Sequence, residues 1–394
     1  ARWDVWGKKA MKEGMAGADN DVPENVILSA AEGLAQPVLD YVSRILQQHL
    51  YGVDLDPEAA EIAGVNLILR AFDRLRGDRE RQKLPLILGQ TLKVGNALIS
   101  GVTSPEDLAP FAEARRQLIA LREELSTLTR HSRMARDAAR AEKLAEIEAV
   151  TAPVNTTLNA ALDEYFNDVE AKRPLNWEVA FPDVFDPDVP EEAQGFTFVV
   201  GNPPWGRTTL DQEEKAFFRD TSQIDTRHPD TYTLFIELGL THVTEGGYCG
   251  YIVPDTLLLK AYPKTRQRML EAGEVMILRH AGMSFGDVNL DTVIFTLKKG
   301  SAPDPGHRIA VGVKSDLSDR YTIPQSLFLS LPDYRFNIYL TPKRLSLYTK
   351  LRQGFPRFDE FTETNEGIHT GNIRAKLFVD SPETPYTNPL ILGR

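Results

Sequence analysis

The first sharply patterned stretch of the chain is Leu50-Tyr51-Gly52-Val53-Asp54-Leu55-Asp56-Pro57. A short apolar run ends in an acidic residue, Asp56 can cap a helix, and Pro57 falls at the first helical position. Glu58 to Phe72 then carries Ala59, Ile62, Ala63, Val65, Leu67 and Leu69 at helical spacing. Strand, tight turn and helix make one step of a doubly wound α/β sheet. Leu84 to Ser100 reads as the next strand with its exit turn, Val94-Gly95-Asn96-Ala97-Leu98.

Residues 106–170 change character. They are rich in Ala, Leu, Arg and Glu, and Leu118, Leu121, Leu125 and Leu128 recur every three to four positions, so a long helical hairpin inserted into the sheet is expected. Phe196 to Val200 reads as a buried strand running into Gly201-Asn202-Pro203-Pro204-Trp205. Thr231 to Val243 reads as an apolar helix ended by Gly246-Gly247. Tyr248 to Pro254, Val275 to Leu278 and Thr292 to Leu297 read as further strands, the last two around a loop that holds Phe285. Beyond Lys299 the alternation fades. The expected organisation is therefore 1–105, the helical insertion 106–172, a second half of the sheet domain 173–305, and the start of another domain at 306–394. No internal repeat or low-complexity segment is present.

Composition narrows the class. The 394 residues, 42% hydrophobic and 26% charged, suit a soluble globular protein, and no run of about 20 apolar residues suggests a membrane span. A single cysteine, Cys249, excludes an internal disulfide and a cysteine-based zinc site, which fits a reducing cytoplasm. The seven histidines have no metal-ligand spacing and no phosphate loop is present, so no metal is expected. Asp163 with Glu170-Ala171-Lys172 sits in a helical context unsuited to a metal nuclease. The net charge of −11 repels nucleic acid as a whole, so any DNA contact must use a local basic face. Arg130, Arg133, Arg136, Arg140 and Lys143 form such a cluster, and Arg133, Arg136 and Arg140 share one helix face. They suit a phosphate-contacting arm or an ordinary solvated face. Lys343, Arg344, Lys350, Arg352 and Arg357 form a second basic stretch.

Asn202-Pro203-Pro204-Trp205 suits chemistry on an exocyclic amine. Adenine N6 is a weak nucleophile because its lone pair is delocalised into the ring. An Asn side-chain oxygen and the following backbone carbonyl, accepting from both N6 hydrogens, would free that lone pair. Two prolines stiffen the loop and offer no competing N–H, and an aromatic at the fourth position can stack on a base turned out of the duplex. The plain alternative is a proline-rich turn after a strand. In enzymes that use S-adenosylmethionine (AdoMet), an acidic residue at the end of the second strand accepts both ribose hydroxyls, and Asp54 at its strand end has that position, although any nucleotide-binding sheet would use it so. Asn96 at the next strand end suits the cofactor adenine or a simple turn.

In order, Tyr51–Pro57, Gly95–Leu98, Trp177-Glu178-Val179-Ala180-Phe181-Pro182, Val199–Trp205, Phe235-Ile236-Glu237, Gly246–Pro254 and Asp291-Thr292-Val293-Ile294 resemble the successive motifs of the large single-chain adenine-N6 DNA methyltransferases. That family includes the methylase parts of fused restriction–modification enzymes and phage-defence methylases. Gly367-Ile368-His369-Thr370-Gly371-Asn372 resembles the opening of its target-recognition domain. The resemblance implies a class I AdoMet-dependent methyltransferase sheet, AdoMet as cofactor, and double-stranded DNA and other subunits of a defence system as partners. It implies direct in-line transfer to a flipped adenine, with Asn202 also at the cofactor and with Trp205 and Phe285 against the base. Phe285 also suits an ordinary core position. One departure stands out. The family's glycine-rich loop does not precede Tyr51, and Ala31-Glu32-Gly33-Leu34 holds a single glycine. The loop is expected upstream of Ala1; otherwise it is degenerate, which leaves a non-catalytic DNA-binding module of a defence complex as the alternative. Cytosine-N4 methylation is the other, since the same loop chemistry serves any exocyclic amine. A protein glutamine-N5 methylase, which also uses an Asn-Pro-Pro loop, fits less well with the long insertion.

Overall fold

The computed structural model describes residues 45–74, 87–128, 133–205, 210–224, 229–259, 261–282, 291–300, 304–313, 320–356 and 360–362. The chain divides into two units, Ala1–Ile338 and Tyr339–Arg394.

Unit one holds two sheets. In the smaller, β1 (Gly52–Asp54) pairs in parallel with β2 (Leu92–Val94). The larger comprises β3 (Phe196–Gly201), β4 (Val243–Pro254), β5 (Gly273–Gly282), β6 (Thr292–Lys299), β7 (Arg308–Gly312) and β8 (Tyr321–Pro324), in the order β3-β4-β6-β5-β7-β8. β3, β4, β5 and β7 point one way, while β6 and β8 run against them. The single sheet expected from the sequence is thus two sheets among the described residues. The boundary expected at 306 also falls elsewhere. β7 pairs with β5 and β8 with β7, so the sheet continues past that position. Short strands between proline- and glycine-containing loops leave too few alternations to show in the sequence.

Helix α1 (Pro57–Arg74) starts as expected. Asp56 Oδ1 accepts from the Glu58 N–H at 2.9 Å, and Pro57 needs no donor there. Its apolar residues form two stripes. Leu67, Ile68 and Ala71 pack on Leu46, Ile87 and Leu92, whereas Ile62, Val65 and Leu69 are exposed. The expected insertion region contains α2 (Ala112–Thr127) and α3 (Arg133–Asn159). Leu118, Leu121 and Leu125 are buried, and Leu118 meets Val154, Leu158 and Val179. Two cations of α2 hold the pair to the rest of the unit. Arg115 donates to the Phe185 carbonyl, and Arg122 donates to the carbonyls of Ala180 and Gln90 while pairing with Asp183 at 3.0 Å.

Between β3 and β4 lie α4 (Gln212–Thr221) and α5 (Thr231–His242), with Tyr232, Ile236 and Leu240 buried. Gly239 lets α5 approach β4 closely, since a Cβ there would lie 2.5 Å from the Tyr251 hydroxyl and 2.7 Å from Cys249 Sγ. The helix stops at His242, before the glycine pair expected to end it. Gly246 instead sits inside β4 at φ +76°, where the β3–β4 register shifts between Phe196 and Phe198. β3 is not the buried strand expected. Among the described residues it lies at the sheet's edge, paired with β4, and Phe198 and Val200, two residues apart on one face, are 67% and 80% exposed. The sheet core lies further along, with Val253, Val275, Leu278, Val293, Phe295, Leu297, Ile309 and Ile323 fully buried. Helix α6 (Pro263–Glu271) covers it, and its buried Arg266 donates to the carbonyls of Leu257, Ala261, Asp333 and Tyr334.

In unit two, α7 (Pro342–Gly354) begins at Thr341, whose hydroxyl accepts from the Arg344 N–H at 3.4 Å. Lys343, Arg344, Lys350 and Arg352 are exposed on it. Arg357 and the 367–372 motif lie outside the described residues.

Candidate functional site

Asp54 ends β1 with its side chain exposed. One carboxylate oxygen accepts from the Asp56 N–H at 2.9 Å, and the other accepts nothing among the described residues. Leu55 beside it is exposed. An open acceptor beside an apolar side chain at a parallel strand end suits a ribose diol next to a flat ring. The Gly95 N–H donates to the Asp54 carbonyl at 2.9 Å, which ties the ends of β1 and β2 together.

Asn96 follows β2. Its N–H donates to the Arg173 carbonyl at 2.7 Å, and its side-chain oxygen accepts from the Leu98 N–H at 3.1 Å, leaving the amide NH₂ as a donor. Two residues that sequence reasoning passed over hold this turn. Arg173 adopts a left-handed backbone (φ 51°) and donates from Nη1 to the Leu55 carbonyl at 3.2 Å, so it bridges the turn to the end of β1. Trp177 Nε1 donates to the Ala97 carbonyl at 3.0 Å. The Trp177 motif was visible, but not this use of it. Its aromatic cluster also links the starts of β1 and β3, since the Tyr51 and Phe196 rings are 5.5 Å apart and both meet Phe181.

The Asn202 loop leaves the C-terminal end of β3. At Gly201 the chain runs close to Tyr251, since a Cβ there would lie a tight 3.1 Å from that ring. Asn202 is exposed and its side chain makes no hydrogen bond among the described residues; Pro203 is buried, Pro204 exposed and Trp205 half-buried. The loop is thus anchored at Pro203 and presents Asn202 outward. Phe285 lies outside the described residues.

Arg133, Arg136 and Arg140 all lie on the first two turns of α3, at spacings that place them on one face. The side chains of Arg133 and Arg136 lie outside the described residues, and Arg140 is half-buried. Lys143 is committed elsewhere. It pairs with Glu124 at 2.8 Å and Glu146 at 2.7 Å, which raises its pKa above the usual lysine range.

Tertiary structure also assembles groups far apart in sequence. Asp255 follows β4, His280 lies near the end of β5 and Asp291 precedes β6, and one ligand atom of each lies within 4.8 Å of the others. Burial and the neighbouring Asp291 charge raise the Asp255 pKa. At the opposite end of β1, a cleft of about 300 Å³ is lined by Tyr51, Gln90, Arg122 and Asp183. Nearby on β2, Lys93 is pushed down to about 8 by burial and then by the Arg122 charge.

Residues 48–282 match the Eco57I restriction-modification methylase family. Among solved structures, the chain is similar to the type IIG restriction endonuclease BpuSI at 16% identity, with 40% of this chain and 22% of that one covered and a TM-score of 0.31. For the ATP-dependent type ISP enzyme LlaBIII bound to DNA, the values are 13%, 73% and 16%, with a TM-score of 0.38. For the M protein of the type I restriction enzyme EcoKI they are 13%, 70% and 37%, with a TM-score of 0.34. The chain thus spans well under half the length of each. The comparison with curated proteins gave no match.

Proposed function

Because the chain belongs to the Eco57I restriction-modification methylase family, we propose that it transfers a methyl group from AdoMet to N6 of adenine in double-stranded DNA. The observation that carries this reading is the placement of Asn202-Pro203-Pro204-Trp205. The loop leaves the carboxyl end of β3, inside the matched span, with Pro203 buried and Asn202 presented outward. In open α/β sheets, ligands bind outside the carboxyl ends of the strands. AdoMet, when bound, supplies an electrophilic methyl group. Asp54 accepts from its ribose hydroxyls, and the Asn96 side chain serves its adenine.

Asn202 and the Pro203 carbonyl accept from the two N6 hydrogens of the target adenine, and Trp205 stacks on the ring, with Phe285 as its opposite wall. Two acceptors and a π-face, with no nucleophile of the protein's own, fit direct transfer rather than a covalent enzyme intermediate. Because the hydrogen bonds at N6 strengthen as its lone pair is freed, Asn202 contributes chiefly in the transition state.

The test is transfer of labelled methyl from AdoMet to DNA by the whole chain, with the modified nucleoside identified after digestion. N6-methyl-2′-deoxyadenosine is expected. Asn202→Ala should abolish it while AdoMet and DNA affinities stay within a few fold. N4-methyl-2′-deoxycytidine would reassign the base, and near-normal turnover by Asn202→Ala would remove Asn202 from catalysis. No transfer with AdoMet demonstrably bound would overturn the reading in favour of a non-catalytic DNA-binding module.

A further inference from the structure

We propose that Asp255, His280 and Asp291 bind a first-row divalent transition-metal cation through one oxygen of each carboxylate and Nε2 of the imidazole. The three side chains come from three neighbouring strands of one sheet. β4 pairs with β6 up to Pro254 opposite Thr292, and β6 pairs with β5 so that His280 lies opposite Val293. Asp255 directly follows Pro254, and Asp291 directly precedes Thr292. A backbone hydrogen bond from the Asp255 N–H to the Asp291 carbonyl, 2.9 Å long, closes the β4–β6 ladder at this point. Rigid elements therefore set the donors in place, as a metal site requires.

The spacing suits a small cation. His280 Nε2 and Asp291 Oδ2 are 3.5 Å apart. Ligand atoms of a tetrahedral ion with bonds of about 2.1 Å are separated by about 3.4 Å. One ligand atom of the Asp255 carboxylate lies within 4.8 Å of the other two. Charge supports the same reading. A dication at this point balances the two carboxylates that the fold brings together. The His280 and Asp291 side chains are 15% and 45% exposed, which leaves an open direction for water or another ligand. One nitrogen and two oxygens favour zinc or manganese over magnesium and calcium, which prefer oxygen alone.

This inference does not depend on methyl transfer. The experiment is calorimetric titration of the chelator-treated whole chain with Zn²⁺, Mn²⁺ and Mg²⁺ in turn, repeated on Asp291→Asn and His280→Gln. Thermal unfolding without metal verifies that each variant is folded. We expect one Zn²⁺ per chain at this site, weaker Mn²⁺, no saturable Mg²⁺, and affinity at least about tenfold lower in each variant. Zn²⁺ should raise the unfolding temperature of the parent chain and not that of Asp291→Asn. The chain has seven histidines, so Zn²⁺ binding that persists unchanged in both variants places the ion elsewhere and overturns the proposal. Absence of stoichiometric Zn²⁺ and Mn²⁺ binding overturns it as well, leaving a His280–Asp291 ion pair.

Discussion

His242 closes α5 between the Trp177 and Phe185 rings, at 4.8 and 5.5 Å, and its Nδ1–H donates to the Leu238 carbonyl at 3.0 Å. Burial, aided by the Lys299 charge, pushes its pKa down to about 4. An unfolded histidine titrates near 6.5. Between those values the unfolded chain holds more protons than the folded one, so stability is full above about pH 6.5 and is lost as pH falls toward 4. The loss by pH 4.5 should be about 2–3 kcal/mol. Denaturant midpoints at pH 7 and 4.5 measure it, and His242→Gln should remove most of the difference. An equal fall in the variant would place the acid sensitivity in other groups. Arg173 offers a second test. Its guanidinium supports the Leu55 carbonyl while its backbone carries the left-handed strain. Both Arg173→Ala and Arg173→Gly should weaken AdoMet binding roughly 3- to 10-fold, the worth of one hydrogen bond. Only the glycine variant should also relieve the backbone. Unchanged affinity in both would leave Arg173 without a positioning role.

At the scale of elements, α2 and α3 show how cations divide between structure and surface. Arg115 and Arg122 on α2 are spent on carbonyls and Asp183, and Lys143 on α3 pairs with Glu124 and Glu146. Arg133, Arg136 and Arg140, on one face of α3 by their spacing, are the cluster proposed for phosphate contact. Replacing all three with Ala should weaken binding to every DNA sequence alike and flatten its salt dependence by up to about one log–log unit per lost contact. An unchanged slope would return this face of α3 to solvent. The helices were legible because their leucines repeat at three and four over several turns. β3 was misread because an apolar run looks the same in a central strand and in an edge strand. What packs on the faces of a strand decides the exposure of its side chains, and that comes from elsewhere in the chain.

At the scale of the whole molecule, a net charge of −11 means that the DNA of the proposed reaction would have to approach through a local patch, and the basic stretch on α7 belongs to a different unit from the Asn202 loop. The sequence by itself determined the strand ends at Asp54, Asn96 and Asn202, the helices α1, α2, α3 and α5, and the ordered motifs that identify the family. Those signals are local. An acidic residue before an N-cap and a proline, a glycine before Asn-Pro-Pro, and helical repeats are each written within a few turns or one loop. Only the tertiary structure decided that β7 and β8 extend the sheet past 306, that β3 lies at its edge, and that Arg173 joins two strand ends. The meeting of Asp255, His280 and Asp291 was likewise invisible in the sequence. They stand 25 and 11 residues apart, on or beside three different strands, so no single helix or strand joins them. Their proximity arises from three strands brought into register by backbone hydrogen bonds, an arrangement set by pairing rather than by any residue's neighbours along the chain.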